Sequence, residues 1–261
     1  MEPPSRRTYE STRRLSSRLA LVTGAAAGLG AGIAQSLAAA GYRVAFTYRP
    51  GGTAPDDTLR AVAKHDADVL AVANDLGSFP AAQTLVADVE AQRGPLDVVV
   101  HAVGPIVVRS FAASSYDDYR AMVDGNLGTA VALAAAALPG MRARGFGRFV
   151  FFGMNGSHAT RPAPLMSLYG AAKAGVVTFA RALALEEARH GITVNVIEPG
   201  DIRNKAQTRE QARRVAANNP TGHSGSWEDV ADAVRFAIGD AADYLNGMVL
   251  NVNGGRVEPY E

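Results

Sequence analysis

The sequence predicts an α/β protein in one domain, a seven-stranded parallel sheet flanked by helices. Three observations carry this reading. Short β-branched runs alternate with longer alanine-rich segments of helical period, several of those segments stop at glycine, and the first strand run passes through a glycine-rich turn straight into the first helix. The strand runs lie at 19–23, 43–47, 68–72, 97–101, 148–152, 193–197 and 248–252. The helical segments between them lie at 28–40, 56–64, 79–92, 116–144, 165–189 and 227–238, so each strand is followed by a crossover to the next. The segment at 116–144 exceeds the usual helix length, which suggests that one face packs on another subunit; a solvated long helix is the alternative. Residues 202–226 lack clean periodicity and are rich in Arg, Asn, Gly and Pro, so they form an excursion before the last helix, placed where a substrate lid would be.

Composition narrows the function classes. With 48% hydrophobic and 20% charged residues the 261-residue chain can bury a sizeable core. A formal charge of +1 leaves no concentrated basic face for a polyanion, so no nucleic-acid partner is expected. The absence of cysteine excludes disulfides, thiolate metal sites and cysteine nucleophiles. The apolar stretch at 130–138 is interrupted by Pro139 and Gly140, short of the roughly 20 residues a bilayer span needs, so no membrane segment is expected. Residues 1–17 hold arginines among serines without an apolar core, with Glu2 and Glu10 interrupting the charge; they are read as a mobile tail ahead of a catalytic domain at 18–261, with a partner-binding arm the alternative. The cytoplasm is the expected compartment.

The chemistry begins at Thr23-Gly-Ala-Ala-Ala-Gly-Leu-Gly30. Gly24, Gly28 and Gly30, with Ala26 and Leu29 between them, fall where the backbone must turn tightly and approach a ligand without a Cβ in the way. The helix N-terminus that follows offers unspent N–H groups and partial positive charge to a pyrophosphate. The turn alone could be merely structural; its strand-before, helix-after setting points to a dinucleotide. The second strand run ends in Thr47-Tyr48-Arg49, with no carboxylate for the ribose hydroxyls of NAD, while the Arg49 guanidinium suits the 2′-phosphate of NADP. NADP(H) is therefore the preferred cofactor and NAD(H) the other possibility, with a plain surface arginine as the bland reading.

Tyr169 and Lys173 stand four apart at the start of a helix, on one face. A free tyrosine titrates near roughly pH 10, and an adjacent ammonium that stabilises phenolate brings it toward working pH as a proton donor and acceptor. The chain has only three lysines, Lys64, Lys173 and Lys205, which makes chance pairing less attractive.

Together these motifs resemble the short-chain dehydrogenase/reductase family, in particular its 3-oxoacyl-thioester ketone reductases. The likeness spans about residues 19–257. It adds Asp75-Leu76, His101-Ala-Val-Gly104, Asn126-Leu-Gly128, Asn195, Pro199-Gly200 and the final Leu245-Asn-Gly-Met-Val-Leu-Asn-Val-Asn-Gly-Gly255, all in the family's order. The resemblance implies a doubly wound Rossmann fold and roles for particular residues. Asp75 would bond the adenine amino group beside Leu76, Ala102 and Gly104 would pass close to the adenosine ribose, and Lys173 would hold the nicotinamide ribose. Ile202, after Pro199 and Gly200, would bond the carboxamide. Tyr169 would protonate the substrate oxygen, and Asn126 would fix a helix kink and a water that links Lys173 to solvent. A homotetramer or homodimer is implied, built on the helices at 116–144 and 165–189.

The departures matter as much. The family's carbonyl-polarising serine falls at Gly156 by counting back from Tyr169, or at Met154 by aligning Gly147 to Phe152, and neither side chain donates. Asn155 or Ser157 could swing into the role, or nothing replaces it. His101 is read as a strand-end packing residue, and His158 and His223 as loop residues, since no cluster has metal-ligand spacing; no metal is expected. Phe152, Met154, Met166 and Trp227 either line an apolar substrate cleft or belong to the core. The leading reading is NADPH-dependent reduction of a ketone to a secondary alcohol. The alternatives are an NAD-linked alcohol dehydrogenase or a pterin or enoyl-type reductase, and a non-catalytic dinucleotide-binding sensor or partner subunit.

Overall fold

The computed structural model describes residues 18–256, so the expected tail at 1–17 and the last residue of the resemblance, Val257, lie outside the described residues. Seven parallel strands, β1 Leu19–Thr23, β2 Arg43–Tyr48, β3 Leu70–Ala73, β4 Leu96–His101, β5 Gly147–Phe152, β6 Ile192–Pro199 and β7 Val249–Val252, line up in the order β3-β2-β1-β4-β5-β6-β7. The order runs one way from β1 and the other way from β4, the doubly wound pattern in which loops leave neighbouring strands toward opposite faces and open a crevice at their carboxyl ends.

The strand runs are continuously apolar because both faces are covered. Leu19 and Leu21 of β1 pack into one core with α3 (Phe79–Arg93), α5 (Thr129–Arg144) and α6 (Ser167–Glu187). Ala20 and Val22 point the other way, toward α1 (Gly28–Ala39) and α8 (Trp227–Ile238). Trp227 belongs to this second core, pressed against Gly32, so of the two readings open for it the structure gives packing. The remaining helices are α2 (Asp56–Ala63), α4 (Tyr116–Met122) and a single turn, α7 (Arg209–Ala212).

Several expected boundaries shift for local reasons. β3 starts at Leu70 rather than at 68, because Val69 closes a turn onto the Asp66 carbonyl while the Asp66 carboxylate takes the Val44 N–H and pairs with buried Arg93. The helix expected from 165 starts at Ser167: Leu165 sits at φ 65°, behind Pro162 and Pro164. The long segment at 116–144 is continuous, but its middle, Val123–Gly128, is a π-helix, and it runs on through Pro139 at the loss of one backbone hydrogen bond because buried Ala137 and Met141 anchor the turns on either side. The excursion at 202–226 is better organised than its sequence suggested: Thr208 and Gln211 box the start of α7, and Ala216 bridges to His223.

Helices Tyr116–Arg144 and Ser167–His190 are long and apolar enough, by length and composition, to cross a membrane, which the expectation from Pro139 and Gly140 overlooked. Both pack on the sheet and contribute to its core.

His101 ends β4 fully inside this frame. Its ring nitrogens meet Thr23 Oγ1 at 2.9 Å and Thr129 Oγ1 at 3.0 Å, joining β1 and β4 to α5. Burial, and to a smaller extent the nearby Lys173 ammonium, push its pKa down to about 3. Between the ordinary histidine range and about 3 the unfolded chain therefore takes up a proton that the folded chain refuses, and stability falls as pH falls through that window by about 1.4 kcal/mol per pH unit. We expect His101→Asn to flatten the pH dependence of the urea midpoint between pH 7 and 4 by about one proton relative to wild type; equal slopes would contradict this account.

Candidate active site

The site starts at the turn between β1 and α1. Gly24 and Gly28 hold φ of 65° and 64°, and a Cβ on Gly30 would overlap the Gly24 carbonyl, so the close turn admits only glycine there. The turn is tied to β2 by Ala25 N donating to Thr47 O (2.8 Å) and Gly24 N to Thr47 Oγ1 (3.1 Å). No side chain caps α1 at Ala27 and its first turn carries no acid, which leaves its leading N–H groups and partial positive charge for an anion.

Facing this turn, α6 delivers Tyr169 and Lys173. Lys173 is buried, donates to the Phe152 carbonyl at 2.9 Å, and lies 5.7 Å from the centroid of the Tyr169 ring. Burial, with a smaller push from the Lys205 ammonium, lowers its pKa to about 8. Asn126 sits in the π-helix, where its Nδ2 donates to the carbonyls of Met122 (2.9 Å) and Pro105 (3.0 Å). A Cβ on Gly104 would overlap Asn126 Oδ1 and come within 3.2 Å of Lys173 Nζ. That Oδ1 is buried without a hydrogen-bond partner among the described residues, an acceptor turned toward the lysine's surroundings.

A cavity of about 370 Å³ joins these parts. It brings together Gly24, Gly28, Leu29 and Gly30 of the turn, Ala102 and Gly104 after β4, Tyr169 and Lys173, and Pro199, Gly200 and Ile202 after β6. Phe152, Met154 and Met166 line it too, which gives the cleft reading for the two methionines, whereas Phe152 belongs to the second core as well as to the cavity wall. Ala26, Tyr48, Arg49, Asp75 and Leu76 are not part of that lining. Tyr48 and Arg49 close β2 and Asp75 and Leu76 follow β3, all at the carboxyl edge of the sheet, with Arg49 and Asp75 exposed and Leu76 buried at φ 53°.

The two candidate substitutes for the serine are not brought to the cavity. Ser157 is buried and donates its proton to Glu198 Oε1 at 2.6 Å, while Asn155 Oδ1 accepts from Asn253 Nδ2 at 2.6 Å. The organiser is Glu198, fully buried at the end of β6. Besides Ser157 it accepts from Gly156 N (2.9 Å), His158 N (2.8 Å) and His158 Nδ1 (2.8 Å). The expectation that Ser157 or Asn155 turns a donor toward the substrate therefore meets a physical obstacle: both face other partners, and Met154 is what lines the cavity.

Sequence reasoning missed Glu198 and Lys205. A lone carboxylate directly before Pro199-Gly200, after an apolar strand run, was the available signal for the first. For Lys205, which lines the cavity and lies across Gly28, the only signal was the scarcity of lysine; the turn does have a cation at hand, supplied from the excursion. Among the described residues no group of His, Asp and Glu suits a metal ion.

An uncapped glycine turn sharing a cavity with a Tyr–Lys pair can hold a dinucleotide and pass a proton to a substrate oxygen beside it, so fold and site together define an oxidoreductase. Known proteins agree. A family model described as enoyl-(acyl carrier protein) reductase matches residues 24–256. The acetoacetyl-CoA reductase of Shinella zoogloeoides is 34% identical over 245 residues, 92% of this chain and 98% of the relative. The 3-oxoacyl-[acyl-carrier-protein] reductase of Escherichia coli strain K12 is 32% identical over 249 residues, 91% and 96% of the two chains. A solved structure from Bacillus thuringiensis, described as a 3-oxoacyl-reductase, superposes with a TM-score of 0.84 at 30% identity, covering 92% of this chain and 98% of its own. The chain belongs to the short-chain dehydrogenase/reductase family.

Glu198→Gln tests the organiser. The amide keeps the size but sets an NH₂ against donors already aimed at the carboxylate, so we expect a loss of about 2 kcal/mol in urea unfolding. Unchanged stability would mean that the 153–158 loop is held by other contacts.

Proposed function

We propose that this chain reduces a 3-oxoacyl thioester, or a ketone of similar shape, to the secondary alcohol with NADPH. The observation that carries the reading is one cavity in which the phosphate-binding turn, Tyr169 and Lys173 meet an apolar wall of Ile106, Met154 and Met166. The names of the relatives from Shinella zoogloeoides and Escherichia coli support the thioester. Exposed Arg49 at the end of β2, with no carboxylate at that place, supports NADPH over NADH.

The residues present fit the coenzyme: the turn is cleared of Cβ atoms and the first N–H groups of α1 are uncapped. When bound, the dinucleotide supplies hydride. The Tyr169 hydroxyl gives its proton to the substrate oxygen. Lys173, held by the Phe152 carbonyl, stabilises the phenolate that remains, and Asn126 Oδ1 offers an acceptor that would position a water to carry a proton back from solvent by way of Lys173. With Ser157 committed to Glu198, Tyr169 is the side chain left to polarise the carbonyl.

That last point favours a second reading, reduction of an enoyl thioester, where charge develops on an oxygen remote from the hydride acceptor; the description of the matching family model accords with it. Acetoacetyl-CoA and crotonyl-CoA, each with NADPH oxidation followed by absorbance, separate the two. Tyr169→Phe should lower kcat on the preferred substrate by roughly 100-fold or more while NADPH binding is kept; full activity would remove Tyr169 from its role. Arg49→Ala should weaken NADPH by about 10-fold and leave NADH unchanged.

We further infer a homo-oligomer, tetramer or dimer, assembled on the outer faces of α4 to α6. Leu185 on α6 is 83% exposed, and Tyr116 and Tyr119 stack in the open on α4. Leu185→Glu should shift the mass in solution toward monomer; an unaltered mass would place the interface elsewhere.

A further inference from the structure

We propose that Lys205 is a coenzyme-anchoring residue, bringing the 202–226 excursion down over the glycine turn by pairing with the dinucleotide's pyrophosphate; this rests on the dinucleotide reading above. The geometry is direct. A methyl built on Gly28 would meet Lys205 Cβ at 3.5 Å and Cδ at 3.7 Å, so the lysine stem lies across the turn, beside the uncapped start of α1. Its cavity is lined by Lys205 and Lys173, two of the three lysines in the chain, and by no Asp, Glu or Arg.

Charge then asks for an anion. Three other cations of the excursion are already matched, Arg203 with Asp201, Arg209 with Asp229 and Asp232, and Arg214 with Glu210, while Arg213 lines a separate cavity that also holds Asp201 and Asp229. Among the described residues no carboxylate forms an ion pair with Lys205 or Lys173. Instead the two ammonium groups act on each other, and the charge on Lys205 helps hold Lys173 below the usual lysine range. A pyrophosphate between the turn and Lys205 satisfies the N–H groups of α1 and one cation together, and it screens Lys173 from the repulsion. Lysine suits the place: its compact charge sits on a flexible stem, so the excursion can open without breaking a fixed fork of hydrogen bonds.

The location of the pairing makes the test specific, since the pyrophosphate is common to NADPH and NADH whereas the 2′-phosphate belongs to one. Affinities of both are to be measured by calorimetry for the wild type, Lys205→Met, Lys205→Arg and Arg49→Ala. Lys205→Met, which keeps an apolar stem, should weaken both dinucleotides by the same factor, about 10-fold, and should lower the dependence of affinity on salt; Lys205→Arg should restore most of it. Arg49→Ala should change the ratio between the two instead. Affinities within twofold of wild type in Lys205→Met would overturn the anchor while leaving the dinucleotide reading intact. A loss confined to NADPH would reassign Lys205 to the 2′-phosphate, which also overturns it. A wild-type protein that bound neither dinucleotide would remove the functional reading and the anchor together.

Discussion

Everything functional in this molecule depends on the reversal of strand order between β1 and β4. A parallel sheet can extend from that seam in both directions only if the chain leaves β1 toward one face and β4 toward the other, and the gap between the departing loops cannot be filled by either. The turn at Gly24–Gly30 and the segment from Ala102 to Gly104 are the two lips of that gap. Its third side comes from α6, whose tyrosine and lysine are one helical turn apart and so reach it together. His101 keeps the seam closed beneath, bonded to both β1 and α5, and stays neutral because the dry interior, and to a smaller extent the site's own lysine, oppose its charge.

The site is assembled by polar groups that would be costly if misplaced. A fully buried carboxylate needs several donors, and Glu198 finds four in the loop after β5. Satisfying Glu198 engages Ser157 and His158, neither of which lines the cavity, and leaves Met154 on the cavity wall. The absence of a side-chain donor from Ser157 on the cavity wall and the satisfaction of a buried acid are therefore two sides of one arrangement of the loop.

What could be read from the chain follows the range of the interactions concerned. Strands buried on both faces announce themselves as unbroken apolar runs, and the glycine turn and the Tyr169 to Lys173 spacing are local patterns, so fold and family were legible. β3 was misplaced by two residues because Asp66 makes its bonds to β2 and α3, which no window around residue 68 contains. Ser157 and Asn155 looked equally able to donate until their partners were known, and those partners lie 41 and 98 residues away. Lys205 was invisible for the same reason, since an irregular segment gives no period from which to infer what it lies over.

The contact between Gly32 and Trp227 has a consequence for how such a protein changes over time. Trp227 opens the helix that ends the 202–226 excursion, and Gly32 belongs to the helix that begins at the glycine turn; the indole is pressed so closely to the backbone there that a single methyl would not fit. The far end of the excursion is thus bolted to the frame of the coenzyme turn, and its near end to β6. Between two fixed posts, and apart from Ile202 and Lys205 on the cavity wall, the intervening residues have room to lengthen, shorten or trade side chains, so selection for a new substrate can work on them while the rest of the site is inherited unaltered.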